Sequence, residues 1–220
     1  MRIVSFHRLV LILKIFIPFM GLLSCQETQE PGEVIIYSND FSQEDLGNIS
    51  NGRILSFNNS AVLGNYNNEE VSLFIDDIPS HNLIKVSIDL LIHDSWDGNA
   101  GPLSGRDIWY LNLDGKSVVN TTFSNQPCVP TFCPSQSFPE QYGRHFDPKT
   151  GAMEEDLPGL CKYADSVGWT TKYRISKLIR HKGNQMTLVC GDRTVQNVLT
   201  TSQICDESWS LSKIEVSTVE

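Results

Sequence analysis

A chain of 220 residues with 40% hydrophobic and 20% charged side chains carries enough apolar mass for one packed domain, which excludes a disordered polymer. Its formal charge is −9, from 26 acidic against 17 basic residues, so it lacks the basic surface that nucleic acid or anionic lipid requires of a partner. Three of the basic residues, Arg2, Arg8 and Lys14, fall within the first 24, and removing them takes the charge from −9 to −12.

The N-terminus combines those basic residues with an apolar run from Leu9 to Leu23, broken by Lys14 and Pro18. That is short and interrupted for a membrane span and fits a secretory signal, with an uncleaved anchor helix as the alternative. The run ends in Leu22-Leu23-Ser24-Cys25, which resembles the lipobox of bacterial lipoproteins. The resemblance implies a signal over 1–24, acylation of Cys25 and a polar tether over 25–32. Gln26 stands where an Asp would imply inner-membrane retention, so it also implies an outer-membrane address, on the periplasmic face or the cell surface. Each buried methylene of such an anchor contributes about 0.8 kcal/mol. The folded domain is then expected over 33–220.

From Glu33 the chain reads as strands separated by turn formers. Glu33–Tyr37 is a short apolar run; Arg53–Phe57 and Val71–Ile75 follow, split by the Asn-rich segment 57–70. From Leu83, residues Ile84, Val86, Ile88, Leu90 and Ile92 recur every second position, which sends them to one face of a strand. Trp109, Leu111 and Leu113 repeat the pattern up to the turn signal Asp114-Gly115, and Ser117–Phe123 follows, so these three strands read as a meander. Between the first two lies an acidic loop holding Asp94, Trp96, Asp97 and Asp107.

Residues 125–171 break the rhythm: they are Pro-rich, hold Cys128, Cys133 and Cys161, and keep no sustained period. They read as an irregular excursion stapled by a disulfide, with helix conceivable only around Met153–Tyr163 and opposed there by Pro158. Strands resume at Lys172–Arg180, a hairpin turn over 181–184, and Gln185–Cys190. In the last strand, Trp209–Val216, Trp209 and Leu211 lie in one phase and Ile214 and Val216 in the other, which predicts a bulge near Ser212. About nine strands with almost no helix indicate an all-β sandwich.

Acylation of Cys25 would leave five cysteines. Export permits oxidation, so two bridges and one free thiol are expected. Cys190 and Cys205, each beside a predicted strand, are expected to pair; Cys128 would bridge Cys133, or one of the two would reach Cys161. The spacing does not suit zinc.

Three pieces, residues 89–99 (DLLIHDSWDGN) with Asp107-Ile108-Trp109, 120–125 (NTTFSN) and 205–216 (CDESWSLSKIEV), resemble a pattern in secreted bacterial domains of concanavalin-like or jelly-roll fold. Those domains carry an "SWDG" strand end, a "TTFSN" strand and a closing "DESWGIDNV" strand; here Ser210–Lys213 replaces Gly-Ile-Asp-Asn. The resemblance implies a jelly-roll sandwich and leaves activity open.

Two kinds of site follow from the residues. Asp94, Asp97 and Asp107 border one loop, and Asp206 with Glu207 opens the last strand, which a jelly roll can lay beside a central one. Such carboxylates repel each other unless a cation joins them, and an oxygen-only donor set suits calcium; turn-capping aspartates in water are the plainer account. Trp96 and Trp169, in loop contexts, are candidates for stacking on a sugar, whereas Trp109 and Trp209 fall in the core phase. A glycan or a surface protein is the expected partner. No G-x-S-x-G, P-loop or H-E-x-x-H occurs, and Asp206-Glu207 alternate faces instead of forming a hydrolytic pair, so the chain reads as a binding or structural module, with a glycan-degrading hydrolase as the less favoured alternative.

Overall fold

The computed structural model describes residues 32–100, 106–195 and 203–220; the expected leader and Cys25 lie outside them. The described residues form twelve strands: β1 (Glu33–Asn39), β2 (Ile49–Ser50), β3 (Ile54–Phe57), β4 (Ser60–Tyr66), β5 (Glu70–Ile75), β6 (Leu83–Asp94), β7 (Ile108–Leu113), β8 (Lys116–Thr122), β9 (Glu154–Pro158), β10 (Val167–Arg180), β11 (Met186–Arg193) and β12 (Glu207–Val219). One sheet runs β3-β4-β12-β6-β10-β9, with β1 also on β12; the other runs β2-β5-β11-β7-β8, and every pairing between them is antiparallel.

The chain therefore crosses repeatedly between sheets. Strands β4, β12, β6 and β10 form one four-strand order and β5, β11, β7 and β8 the other, which is the double Greek key of a jelly roll. The all-β sandwich is as expected, but two connections are not. The meander over β6, β7 and β8 is corrected: β6 and β7 lie in opposite sheets, and only β7 and β8 form a hairpin. Residues 181–184 likewise carry the chain from one sheet to the other instead of turning a hairpin. A two-residue period states which face of a strand is apolar but not which sheet receives it.

The phases hold throughout. Ile84, Val86, Ile88, Leu90 and Ile92 face Leu73, Leu111 and Leu188 of the second sheet within one continuous core. The bulge is present: β12 slips against β6 between Leu211 and Lys213, so Trp209, Leu211, Ile214 and Val216 all point inward. Asp114 and Gly115 both take positive φ, as the tight β7–β8 turn requires.

Segment 57–70 was expected to be a break, yet it contains β4, where Val62 turns outward into a small second cluster with Phe57 and Leu91. The excursion is also more ordered than its composition suggests. It holds β9 and the single turn Cys161–Tyr163, and β10 begins at Val167, inside the span read as irregular. Buried Gln136 organises it: its carbonyl oxygen accepts from the backbone of Ser124 and Lys149 and from the Tyr173 hydroxyl, while its amide donates to the carbonyls of Phe138 and Thr150.

If phase decides burial, Ile88→Ala, at a fully buried site, costs about 2–5 kcal/mol in urea unfolding. Leu178→Ala, on the outer face of the same sheet and 59% exposed, stays within about 0.5 kcal/mol.

Candidate metal centre and adjoining cavity

The jelly-roll path brings four groups of described residues to one edge of the sandwich: 67–69, 95–100 with 106–107, 123–166, and 194–195 with 203–206. Their polar atoms tie them together. The Asn67 amide donates to the Glu207 carbonyl (2.7 Å) and to the Thr194 hydroxyl (3.0 Å). The buried Asp192 carboxylate accepts from the backbone of Asn68 and Glu69 and from the Trp209 indole (2.7 Å).

Strand β6 ends where Asp94, at φ 63°, turns the chain out of the sheet. Ser95 then donates through both its amide and its hydroxyl to the Asp206 carbonyl, at 2.9 and 2.8 Å. The next residue corrects an expectation. Trp96 is fully buried, its indole donating to the Ser208 carbonyl (2.9 Å) and its ring set edge-on to Phe123, so it presents no stacking face to a ligand. An apolar ring beside two paired strand ends is drawn into the core even from a polar loop. Asp97 follows, bridged to Ser124, and Gly98 has φ +66°; a Cβ there would lie 2.4 Å from the Ser135 carbonyl oxygen, so the loop can close only on glycine.

Asp97, Asp107 and Glu207 each place a carboxylate oxygen within 4.8 Å of the others. Asp107 is 1% exposed, and its oxygens accept from the Val195 and Asp97 amides at 3.2 and 3.4 Å. Glu207 opens β12 directly opposite Asp94 and is 6% exposed, and its Oε2 is buried with no hydrogen-bond partner. Among the described residues no lysine or arginine pairs with any of the three. Burial pushes all three carboxyls above the ordinary range; the Asp97 charge adds to this at Asp107, and the Asp107 charge at Glu207. Bare ionised carboxylates cannot persist there: they must hold protons or share a cation. An all-oxygen set, without His or Cys, on irregular loops fits a hard divalent ion, and calcium tolerates such geometry better than magnesium.

Two acids expected in this site stand apart from the cluster. Asp94 is fully buried, but its Oδ1 accepts from the Leu160 amide (2.8 Å), and burial pushes its carboxyl up to about 7. Asp206 accepts from the Ser95 hydroxyl on Oδ1 (3.0 Å). Asp206 lies in the turn before β12, and its charge still helps to raise the Asp97 and Glu207 carboxyls.

Two bridges and one free thiol are present, and Cys128 bridges Cys133, but the Cys190–Cys205 pairing is corrected: Cys205 bridges Cys161, and Cys190 is a free, buried thiol. Cys190 shares its phase with Met186 and Leu188 and so points between the sheets, away from the loop that carries Cys205. The Cys161–Cys205 bridge instead ties the Cys161–Tyr163 turn to the residues just before Glu207.

Beside that turn lies a cavity of about 380 Å³, bordered by Gln126, Cys128, Asp147, Lys149, Val167 and Trp169. Trp169 stands partly exposed, stacked on Tyr163 at 3.9 Å and 10°, and the Lys149 ammonium donates to the Gly168 carbonyl (2.8 Å). Trp169, expected to stack on a ligand, borders this cavity; Asn125, Gln126 and Tyr163 carry no pattern that singles them out, apart from the TTFSN run that ends in Asn125, which is 2% exposed. His93 is buried between the Thr170 and Ser210 hydroxyls, and burial pushes its imidazole down to about 3.

No family model and no curated protein matches the chain. Among solved structures it is similar to dimeric latent PorU of Porphyromonas gingivalis, at 12% identity and TM-score 0.37, over 76% of this chain and 10% of that one. It is also similar to a family 35 carbohydrate-binding module of Clostridium thermocellum, at 11% identity and TM-score 0.36, over 84% and 98% of the two chains. A third is the carbohydrate-binding module CBM6cm-2 of Cellvibrio mixtus lichenase 5A in complex with cellotriose, at 10% identity and TM-score 0.38, over 85% and 100%.

A carboxyl raised in the folded state contributes stability that is fully present below its unfolded pKa and is lost as pH rises through the folded value. With metal chelated, the thermal midpoint therefore falls as pH rises from about 5 towards 10, because the unfolded chain has released these protons while Asp94, Asp107 and Glu207 hold theirs up to about 7, 8 and 10. Asp107→Asn flattens that slope in thermal melts. A wild-type midpoint that does not change with pH in EDTA contradicts the account.

Proposed function

We propose that this domain is a binding module whose loop end is organised by calcium and which is held at the outer membrane by an acylated Cys25. The observation that carries the calcium reading is Glu207: a buried carboxylate with an unpaired oxygen, clustered with Asp97 and Asp107 where no cationic side chain among the described residues answers them. In isothermal titration, calcium should bind the wild-type protein and fail to bind Glu207→Gln or Asp97→Ala, while Asp94→Asn retains binding. At a calcium concentration 100 times Kd the fold gains about 2.7 kcal/mol, lost on adding EDTA. A protein whose midpoint ignores both calcium and EDTA is not organised in this way.

A second reading, that the module binds carbohydrate, is favoured by the Trp169 cavity. A sugar ring can lay its C–H face on a partly exposed indole while Gln126, Asp147 and Lys149 meet its hydroxyls, and a volume of about 380 Å³ suits a small saccharide. On a glycan array, Trp169→Ala should lose whatever signal the wild type gives, with an unchanged thermal midpoint. Signal that survives the substitution would place the ligand elsewhere.

The lipid anchor is supported by the Leu22–Cys25 motif, and the two disulfides accord with export. Mass spectrometry should find an acylated Cys25 as the mature N-terminus, and Cys25→Ser should shift the protein from the membrane fraction to the soluble one. An unmodified Cys25 in the mature protein would remove the anchor.

A further inference from the structure

We infer that filling the carboxylate site sets the shape of the Trp169 cavity, so that saccharide binding in the cavity depends on the cation. This deepens, and rests on, the calcium reading proposed above. Two of the three segments that border the cavity, 125–128 and 167–169, hang from the strand ends that supply the carboxylates, and the third, 147–149, is held by Gln136. Asp97 is bridged to Ser124, and the next two residues form one wall. The Asn125 backbone donates to the Trp96 carbonyl (2.9 Å). Its buried side-chain amide donates to the carbonyls of Ile92 (2.9 Å), Asp94 (3.0 Å) and Trp169 (3.2 Å), and its oxygen accepts from the Thr171 hydroxyl (2.7 Å). One amide thus spans the end of β6 and the start of β10. Gln126 adds a bond to the Ser95 carbonyl (3.2 Å), two residues before Asp97.

The opposite wall is tied to Glu207. Trp169 stacks on Tyr163, and Tyr163 ends the turn that Cys161 pins through its disulfide to Cys205, two residues before Glu207. Asp94 holds the same turn through the Leu160 amide. Without a cation nothing draws Asp97 and Glu207 together, and the walls keep the freedom of the segments to which they are bonded. A cation that draws the carboxylates together orders both walls beforehand, so a ligand entering the cavity has less freedom to remove. The coupling is reciprocal: a ligand in the cavity must tighten calcium by the same factor.

The fluorescence of the protein reads this directly. Of its four tryptophans, Trp96, Trp109 and Trp209 are fully buried and only Trp169 is partly exposed, so acrylamide quenching reports the cavity. Calcium alone should lower the quenching constant, with the same midpoint as the heat of calcium binding. Trp169→Phe should abolish the response, and Gln126→Ala should keep the heat but weaken the quenching change. If calcium binds by calorimetry while wild-type quenching stays flat, the coupling is overturned and the cation site stands. If calcium produces no heat, the cation reading itself falls, and the coupling with it.

Discussion

The pairing of β12 with β6 along nearly its whole length is the constraint from which the rest of the molecule follows. Twelve residues of β12 find partners on β6, from Glu207 opposite Asp94 to Val219 opposite Leu83. A last strand placed beside a central one closes the sheet, and it sets the start of β12 at the edge where β6 ends. The bulge between Leu211 and Lys213 keeps both halves in phase. Without the extra residue, Ile214 and Val216 would face water while Lys213 and Glu215 faced the core.

The two ends of the sandwich differ in how well their polar groups are satisfied. At one end, His81 bonds the Pro79 carbonyl and His181 (2.7 Å each), and His181 meets the Asp114 carboxylate at 3.2 Å. At the other, the buried polar atoms left unpaired among the described residues gather: Asp94 Oδ2, Ser124 Oγ and Glu207 Oε2, with the Trp109 indole nitrogen near the start of β7. Folded proteins rarely leave such groups unmatched, because each forfeits its hydration without return. Their collection around three clustered carboxylates gives the loop end its chemical character, and the aromatic packing of Trp96, Phe123, Trp109 and Trp209 beneath gives those carboxylates a rigid floor.

The excursion between β8 and β10 shows how a segment without periodicity can still be specified. Its order comes from single side chains that satisfy many backbone groups at once, Gln136 within it and Asn125 at its root. Neither leaves a repeating trace in the sequence. The same holds for the site: Asp97, Asp107 and Glu207 were legible as acids near strand ends, but their convergence depended on backbone direction at two strand termini.

Alternation by itself determined the inward faces of β6, β7 and β12 and the bulge in the final strand, because a two-residue period is a local property of extended backbone, and the Asp114-Gly115 pair determined the tight turn through its tolerance of positive φ. Only the tertiary structure decided which sheet each strand joins, that Cys205 pairs with Cys161 while Cys190 stays in the core, and that Trp96 is buried while Trp169 borders a cavity. Those outcomes depend on connections that cross between sheets and on contacts between residues far apart in the chain, for which neighbouring residues carry no pattern.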